Sequence, residues 1–167
     1  MKIGLFSDTH NHLDPKVFKH FDDCDEIWHA GDIGTAAIIH QLEEFKPLRA
    51  VYGNIDGKDV RAICPEDLWF TVEGLSIWIT HIGGYPPKYN PRTKRILKER
   101  IPDIMICGHS HILKIMRDPA KNNMLHINPG AAGIHGFHRT KTLVKFDLKA
   151  QEISNMQVIE LGSRTSG

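Results

Sequence analysis

The chain has 167 residues, enough for one compact domain and little more. Its formal net charge of +1, with 41% hydrophobic and 25% charged residues, excludes a global field that would draw nucleic acid or an anionic membrane. No apolar stretch approaches the roughly 18 residues that a membrane span needs. Cys24, Cys64 and Cys107 lie far apart and form no Cys-x-x-Cys pair, so free thiols in a reducing cytosol are expected. The opening Met1–Phe6 run is too short for a secretory signal and reads as a first strand. The expected location is the cytoplasm, with no membrane partner and no clear nucleic-acid surface; a homo-oligomer is compatible with all of this.

In chain order, Ile3–Phe6, Ile27–Trp28, Ala50–Tyr52, Leu75–Thr80 and Ile104–Cys107 read as short strands, from their β-branched and aromatic content. Between the early ones lie helical segments. Pro15–Phe21 follows Asp14, a suitable cap. Thr35–Phe45 carries Ala36, Ile39 and Leu42 on one stripe. Arg92–Arg100 is basic and ends before Pro102. Tyr85-Pro86-Pro87 is the most loop-like interior stretch. After residue 110 the pattern becomes successive strands, Ile112–Arg117, Met124–Ile127, Thr142–Leu148 and Glu152–Ile159, with turns at Asn122-Asn123 and Lys149-Ala150. A βαβ half followed by an antiparallel meander predicts an α/β protein with two packed sheets and helices outside. One domain over 1–160 is expected, with a frayed tail over 161–167.

The polar residues at the end of each early strand carry the chemistry. The first strand runs into Ser7-Asp8-Thr9-His10, the second into Gly31-Asp32, the third into Gly53-Asn54, the fourth into His81 and the fifth into Gly108-His109-Ser110-His111. Carboxyl ends of strands line the ligand crevice of open α/β sheets, so these residues should converge. The set holds two carboxylates, one amide and four imidazoles, and no thiolate, unlike a structural zinc cage. Seven ligands are too many for one catalytic ion with an open position. They suffice for two ions if one carboxylate bridges, and such a pair can hold the attacking and leaving oxygens of an in-line phosphoryl displacement.

These five ordered motifs, Asp8-Thr9-His10, Gly31-Asp32, Gly53-Asn54, Thr80-His81 and Gly108-His109-Ser110-His111, resemble those of the calcineurin-like metallophosphoesterases. The short length, and Asn128-Pro129-Gly130 after the last motif, are similar to the small bacterial and archaeal phosphodiesterase branch, relatives of the retromer subunit Vps29. The resemblance implies a four-layer α-β-β-α sandwich of two mixed sheets with the metal site at the strand ends. It implies one divalent ion on Asp8, His10 and His111, another on Asn54, His81 and His109, and Asp32 bridging. Manganese leads, with zinc, iron, nickel or magnesium as alternatives. The implied activity is hydrolysis of small phosphodiesters by a metal-bound hydroxide, with Asn54, His10 and Asp32 acting at the reacting centre. Phosphomonoester hydrolysis and a non-catalytic, Vps29-like scaffold are the competing readings.

One position departs from the wider pattern. Many members follow Gly-Asn with His, which binds phosphate or protonates the leaving group; here that position is Ile55. His12, His135, His138 and Arg139 are candidates to contact substrate in its place. His29 reads as a core or supporting residue, and Lys88, Arg92, Lys94 and Arg95 as a basic helix face.

Overall fold

The computed structural model describes residues 1–165. In chain order it comprises β1 (Lys2–Phe6), α1 (Lys16–His20), β2 (Glu26–His29), α2 (Ala36–Phe45), β3 (Leu48–Ala50), α3 (Lys58–Arg61), β4 (Asp67–Val72) and β5 (Leu75–Thr80). There follow β6 (Gly84–Tyr85), β7 (Lys88–Tyr89), α4 (Pro91–Glu99), β8 (Ile104–Ile106), β9 (Leu113–Asp118), β10 (Met124–Pro129), β11 (Thr140–Lys149) and β12 (Glu152–Ser163).

The period-two pattern of the strands explains the layers. Ile3 and Leu5 of β1, Trp28 of β2, Ile77 and Ile79 of β5, Ile104 and Ile106 of β8, and Val144 and Phe146 of β11 point inward and form one buried cluster. The opposite faces are also apolar. Phe6, Ile27 and Leu143 pack with Val17, Ile39, Leu42 and Val60, so α1, α2 and α3 cover the first sheet. Trp78, Met105 and Met124 pack with Leu97, so α4 covers the second. A sheet buried on both faces reads as a continuous apolar run, which is why the early strands were legible.

Both sheets are five-stranded and mixed, in the orders β12-β11-β1-β2-β3 and β4-β5-β8-β10-β9. The parallel runs are β1-β2-β3 and β5-β8-β10. The expected meander therefore divides: β9 and β10 pair in the second sheet, while β11 and β12 pair with each other and close onto β1 in the first. β12 continues to Ser163 with Leu161 buried, where a tail was expected from 161; Ser166 and Gly167 lie outside the described residues.

Four elements, β4, α3, β6 and β7, have no counterpart among the segments expected from sequence. β4 is a half-buried edge strand with Leu68 and Phe70 toward the inner core and Trp69 outward, stacked on Trp78 at 5.2 Å. α3 spans only four residues. β6 and β7 form a small hairpin around the Pro86-Pro87 stretch that read as loop. α4 begins one residue earlier than expected, because the Asn90 side chain accepts from the Thr93 amide at 2.8 Å and Pro91 fits the first turn. No described helix is long and apolar enough to cross a membrane.

Candidate metal centre

The carboxyl ends of both parallel runs open toward one another, and backbone hydrogen bonds sew the loops together. The Gly108 amide donates to the His81 carbonyl at 3.0 Å, and the Gly133 amide to the Asp8 carbonyl at 3.1 Å. Asp8, His10, Asp32, His109 and His111 all take left-handed backbone conformations, with φ between +45° and +71°. Each such residue costs roughly 1–2 kcal/mol, and strain of this kind collects at functional sites. Gly31, at φ +99°, allows a different closeness: a Cβ there would lie 2.6 Å from His81 Nδ1.

Two groups of side chains offer converging ligand atoms, Asp8 with His10 and His111, and Asp32 with His81 and His109. Asp8 is fully buried, and its Oδ2 accepts from Ser7 Oγ at 2.8 Å and the His109 amide at 3.2 Å. Its Oδ1 has no hydrogen-bond partner and faces His111 Nε2 at 3.2 Å. Asp32 divides its oxygens in the same way. Oδ1 accepts from the Ile55 amide at 3.1 Å, while Oδ2 lies 3.3 Å from His10 Nε2 and 3.2 Å from His81 Nε2. One oxygen thus sits between a histidine of each group. Asn54 stands beside the second group, its Oδ1 3.0 Å from His109 Nδ1. All seven residues named from the strand ends come together.

The donor set fits divalent cations. Asp8 Oδ1, His10 Nε2 and His81 Nε2 are buried without hydrogen-bond partners, which is costly unless a further group satisfies them. His81 Nδ1 is 2.7 Å from the Ala30 carbonyl, so it carries the proton and leaves the Nε2 lone pair aimed into the site, the outer-shell arrangement of metal-binding histidines.

A second ring of residues holds these in place. Buried Asp56 accepts from the amides of Ile33 at 3.1 Å, Gly34 at 2.8 Å and Gly53 at 2.8 Å, tying the Asp32 loop to the Asn54 loop. Buried Asn128 donates to the Gly108 carbonyl at 2.9 Å and Ser110 Oγ at 3.1 Å, fixing the His109–His111 turn. His29, expected as a supporting residue, accepts from the Gly31 amide at 3.1 Å and contacts Thr9 Oγ1 at 3.0 Å. Burial pushes it down to about 3, so it is neutral. Sequence reasoning missed the Asp56 role, which has no spacing signal.

Of the residues expected to meet substrate, His135 and His138 line a cleft of about 480 Å³ over the site, together with Ile55, Ile112 and Phe137. His135 stacks on His10 at 4.8 Å. His138 Nε2 is 2.8 Å from the Gly133 carbonyl. His12 and Arg139 do not line this cleft: the His12 amide turns back on the Thr9 carbonyl with its Nε2 buried, and Arg139 is exposed beside the first residue of β11.

Electrostatics of the metal-free site yield a test. The Asp32 carboxylate and then that of Asp8 push His10 up to about 9. Burial pushes Asp8 and Asp32 up, but the histidines close around them overcome it and hold both below the usual carboxylate range. The His10 proton therefore stabilises the metal-free fold below its unfolded pKa of about 6.5, and this contribution is lost as pH rises through about 9. The melting temperature of chelated protein should fall across that window, and metal-loaded protein should not follow, because the ion replaces the proton. Parallel melting profiles with and without chelator would contradict the arrangement.

A sequence profile of the calcineurin-like phosphoesterase superfamily domain matches residues 1–151. The chain belongs to the calcineurin-like phosphoesterase superfamily. Relatives include a probable metallophosphoesterase of Methanothermobacter thermautotrophicus, 30% identical, covering 78% of this chain and 77% of its own. A phosphodiesterase of Methanocaldococcus jannaschii is also 30% identical, covering 78% of this chain and 83% of its own. A solved archaeal phosphodiesterase superposes on this phosphoesterase domain with a TM-score of 0.77 and 26% identity, covering 96% of this chain and all (100%) of that one. Vps29 of Chaetomium thermophilum superposes with a TM-score of 0.75 at 17% identity and 98% coverage of each chain, a likeness of fold. The mixed α/β architecture of two packed five-stranded sheets is that of the superfamily, whose members act on phosphate esters with divalent metal ions.

Proposed function

We propose that this chain is a dinuclear metal-dependent phosphodiesterase acting on small phosphodiesters. The observation that carries the reading is the position of Asp32 Oδ2, 3.3 Å from His10 and 3.2 Å from His81, between two separate clusters of ligand atoms. Divalent ions bound there would supply Lewis acidity and lower the pKa of a water from 15.7 to about 7, so no separate protein base is required.

The chain's own residues then have distinct tasks. Asp8, His10 and His111 form one ligand group, and Asn54, His81 and His109 the other, with Asp32 shared between them. Two anionic carboxylates offset part of the charge of two cations, leaving a net positive site that favours a phosphate group. The Asn54 amide group, at the junction, can donate to an equatorial phosphate oxygen. Manganese is the leading ion, and the imidazole-carboxylate set also suits zinc, iron, nickel or magnesium.

Ile55 shapes the chemistry of departure. Its side chain is exposed at the cleft and its amide is committed to Asp32, so it can neither protonate a leaving oxygen nor bind phosphate. His138, with Nε2 on the Gly133 carbonyl, has its donor engaged away from the cleft. Rates should therefore depend steeply on leaving-group pKa, because general acid catalysis worth about 10²–10⁴-fold is missing. Matched aryl and alkyl mono- and diesters, assayed with manganese, nickel, zinc and magnesium after chelation, test both points. Diesters should give the higher kcat/KM. A clear monoester preference would sink the diesterase reading, and flat rates across leaving groups would contradict the missing general acid, with His135 of the cleft the first residue to substitute.

A further inference from the structure

A second cavity, of about 690 Å³, adjoins the metal centre on its other side. Asn54 borders both this cavity and the Ile55 cleft, and His81 lines the new one. The two differ in character. The Ile55 cleft has an apolar rim of Ile55, Ile112 and fully exposed Phe137. The second cavity is walled by Tyr52, Ile82 and Pro91 and carries Arg61, Arg92 and Arg95 against one carboxylate, Glu66.

The arginines are not equivalent. Arg92 is spent on the protein: it is hydrogen-bonded to Asp67, contacts Thr80 Oγ1 at 3.3 Å and lies 3.7 Å from Glu66. Arg61 donates Nε to the Asp56 carbonyl at 2.7 Å and lies over the Tyr52 ring at 4.4 Å, which fixes its plane and leaves its terminal nitrogens unengaged. Arg95 is exposed and makes no hydrogen bond or ion pair among the described residues. Two guanidinium groups therefore line the cavity with no ion pair of their own among the described residues, since its one carboxylate, Glu66, lies against Arg92 and the Tyr52 hydroxyl. Its volume falls within the roughly 300–1,000 Å³ of small-molecule sites.

A phosphodiester has two ester arms, and two pockets meet at the proposed reaction centre. We propose that the Tyr52–Arg61–Arg95 cavity is a subsite for one arm of the diester, and that it selects an arm carrying a further anionic group such as a second phosphate. The aryl or other flat arm lies in the Ile55–Phe137 cleft. The substrate class is thus an unsymmetrical diester, of which a nucleotide bearing an extra phosphate is one example. The subsite rests on the diesterase function proposed for the metal centre.

The test compares the 4-nitrophenyl ester of thymidine 5′-phosphate with and without a phosphate on its 3′ oxygen. A charge-assisted contact to a partly exposed guanidinium predicts about a tenfold higher kcat/KM for the phosphorylated substrate, mainly through KM. That ratio should fall as salt rises toward about 1 M, where screening is nearly complete. In Arg95→Glu it should fall to about one or below, and in Arg61→Gln it should be reduced. A ratio near one in the wild type, or one that Arg95→Glu and salt both leave unchanged, overturns the subsite. Bis(4-nitrophenyl) phosphate, assayed alongside, separates the two readings: its hydrolysis with a flat ratio rejects the subsite alone, and no metal-dependent hydrolysis rejects the diesterase.

Discussion

Asp32→Asn is expected to weaken both metals together and to lower kcat/KM by roughly 10³-fold, the scale of losing a principal electrostatic stabiliser. The carboxylate places one oxygen within 3.3 Å of His10 and 3.2 Å of His81, one histidine from each ligand group. Asn keeps the shape, and its carbonyl oxygen can still accept from the Ile55 amide, so the fold should survive. What disappears is the charge shared by two cations. His111→Ala removes a terminal imidazole facing Asp8 alone and should weaken mainly one metal. Titration of Asp32→Asn that found two metals bound with unchanged affinity would contradict the shared role.

Gly53→Ala should be nearly as damaging, although residue 53 has no side chain to contribute. A Cβ there would collide with Asp32 Oδ1 and the Asp32 backbone nitrogen, and lie 2.8 Å from His81 Cδ2. Neither neighbour is a flexible chain end. Relief requires the Asp32 loop to move away from the Asn54 loop that Asp56 ties to it. Overpacking of this kind costs about 1–3 kcal/mol, and here the displaced atoms are those proposed to bind metal. Gly57→Ala is the control. Its φ of −88° suits any residue, and a Cβ meets nothing nearer than Asp59 Oδ1 at 3.6 Å. As a helix-capping change it should cost less than about 1 kcal/mol. Equal loss of metal binding in both variants would mean that close approach at Gly53 is not what matters.

The two-sheet α/β architecture and the convergence of the strand-end residues were legible in the sequence; several elements and pairings were not. Asp8, His81 and His109 follow strands whose apolar runs are buried on both faces and have no polar interruption until their ends. The run before Asp32 is short, and the strand before Asn54 is Leu48–Ala50, interrupted by Arg49, where Ala50–Tyr52 was expected. β4 was missed: it is a half-buried edge strand whose apolar run is only Leu68-Trp69-Phe70, with Leu68 and Phe70 packed inward and Trp69 stacked on Trp78. The late strands were found but not their partners: nothing local in Thr140–Lys149 says that it pairs with β1, more than a hundred residues away, at Phe146 opposite Ile3. Asp56 was invisible for a different reason. Its work is to accept backbone amides from Ile33, Gly34 and Gly53, and backbone amides leave no trace in sequence. The arginine cavity draws Tyr52, Arg61, Glu66, Ile82 and Arg95 from separate segments, so only folding assembles it. Arg92 and Arg95, readable as a solvated helix face, line it because α4 starts at its wall with Asn90 and Pro91.

The sharing of Asp32 by two divalent ions would be visible as stoichiometry. Metal analysis of chelated protein reconstituted with manganese, paired with hydrolysis of bis(4-nitrophenyl) phosphate on the same samples, tests it most directly. Saturation near two ions per chain is expected, with activity rising as the second site fills. Saturation at a single ion, or full activity in protein stripped of metal, would contradict it.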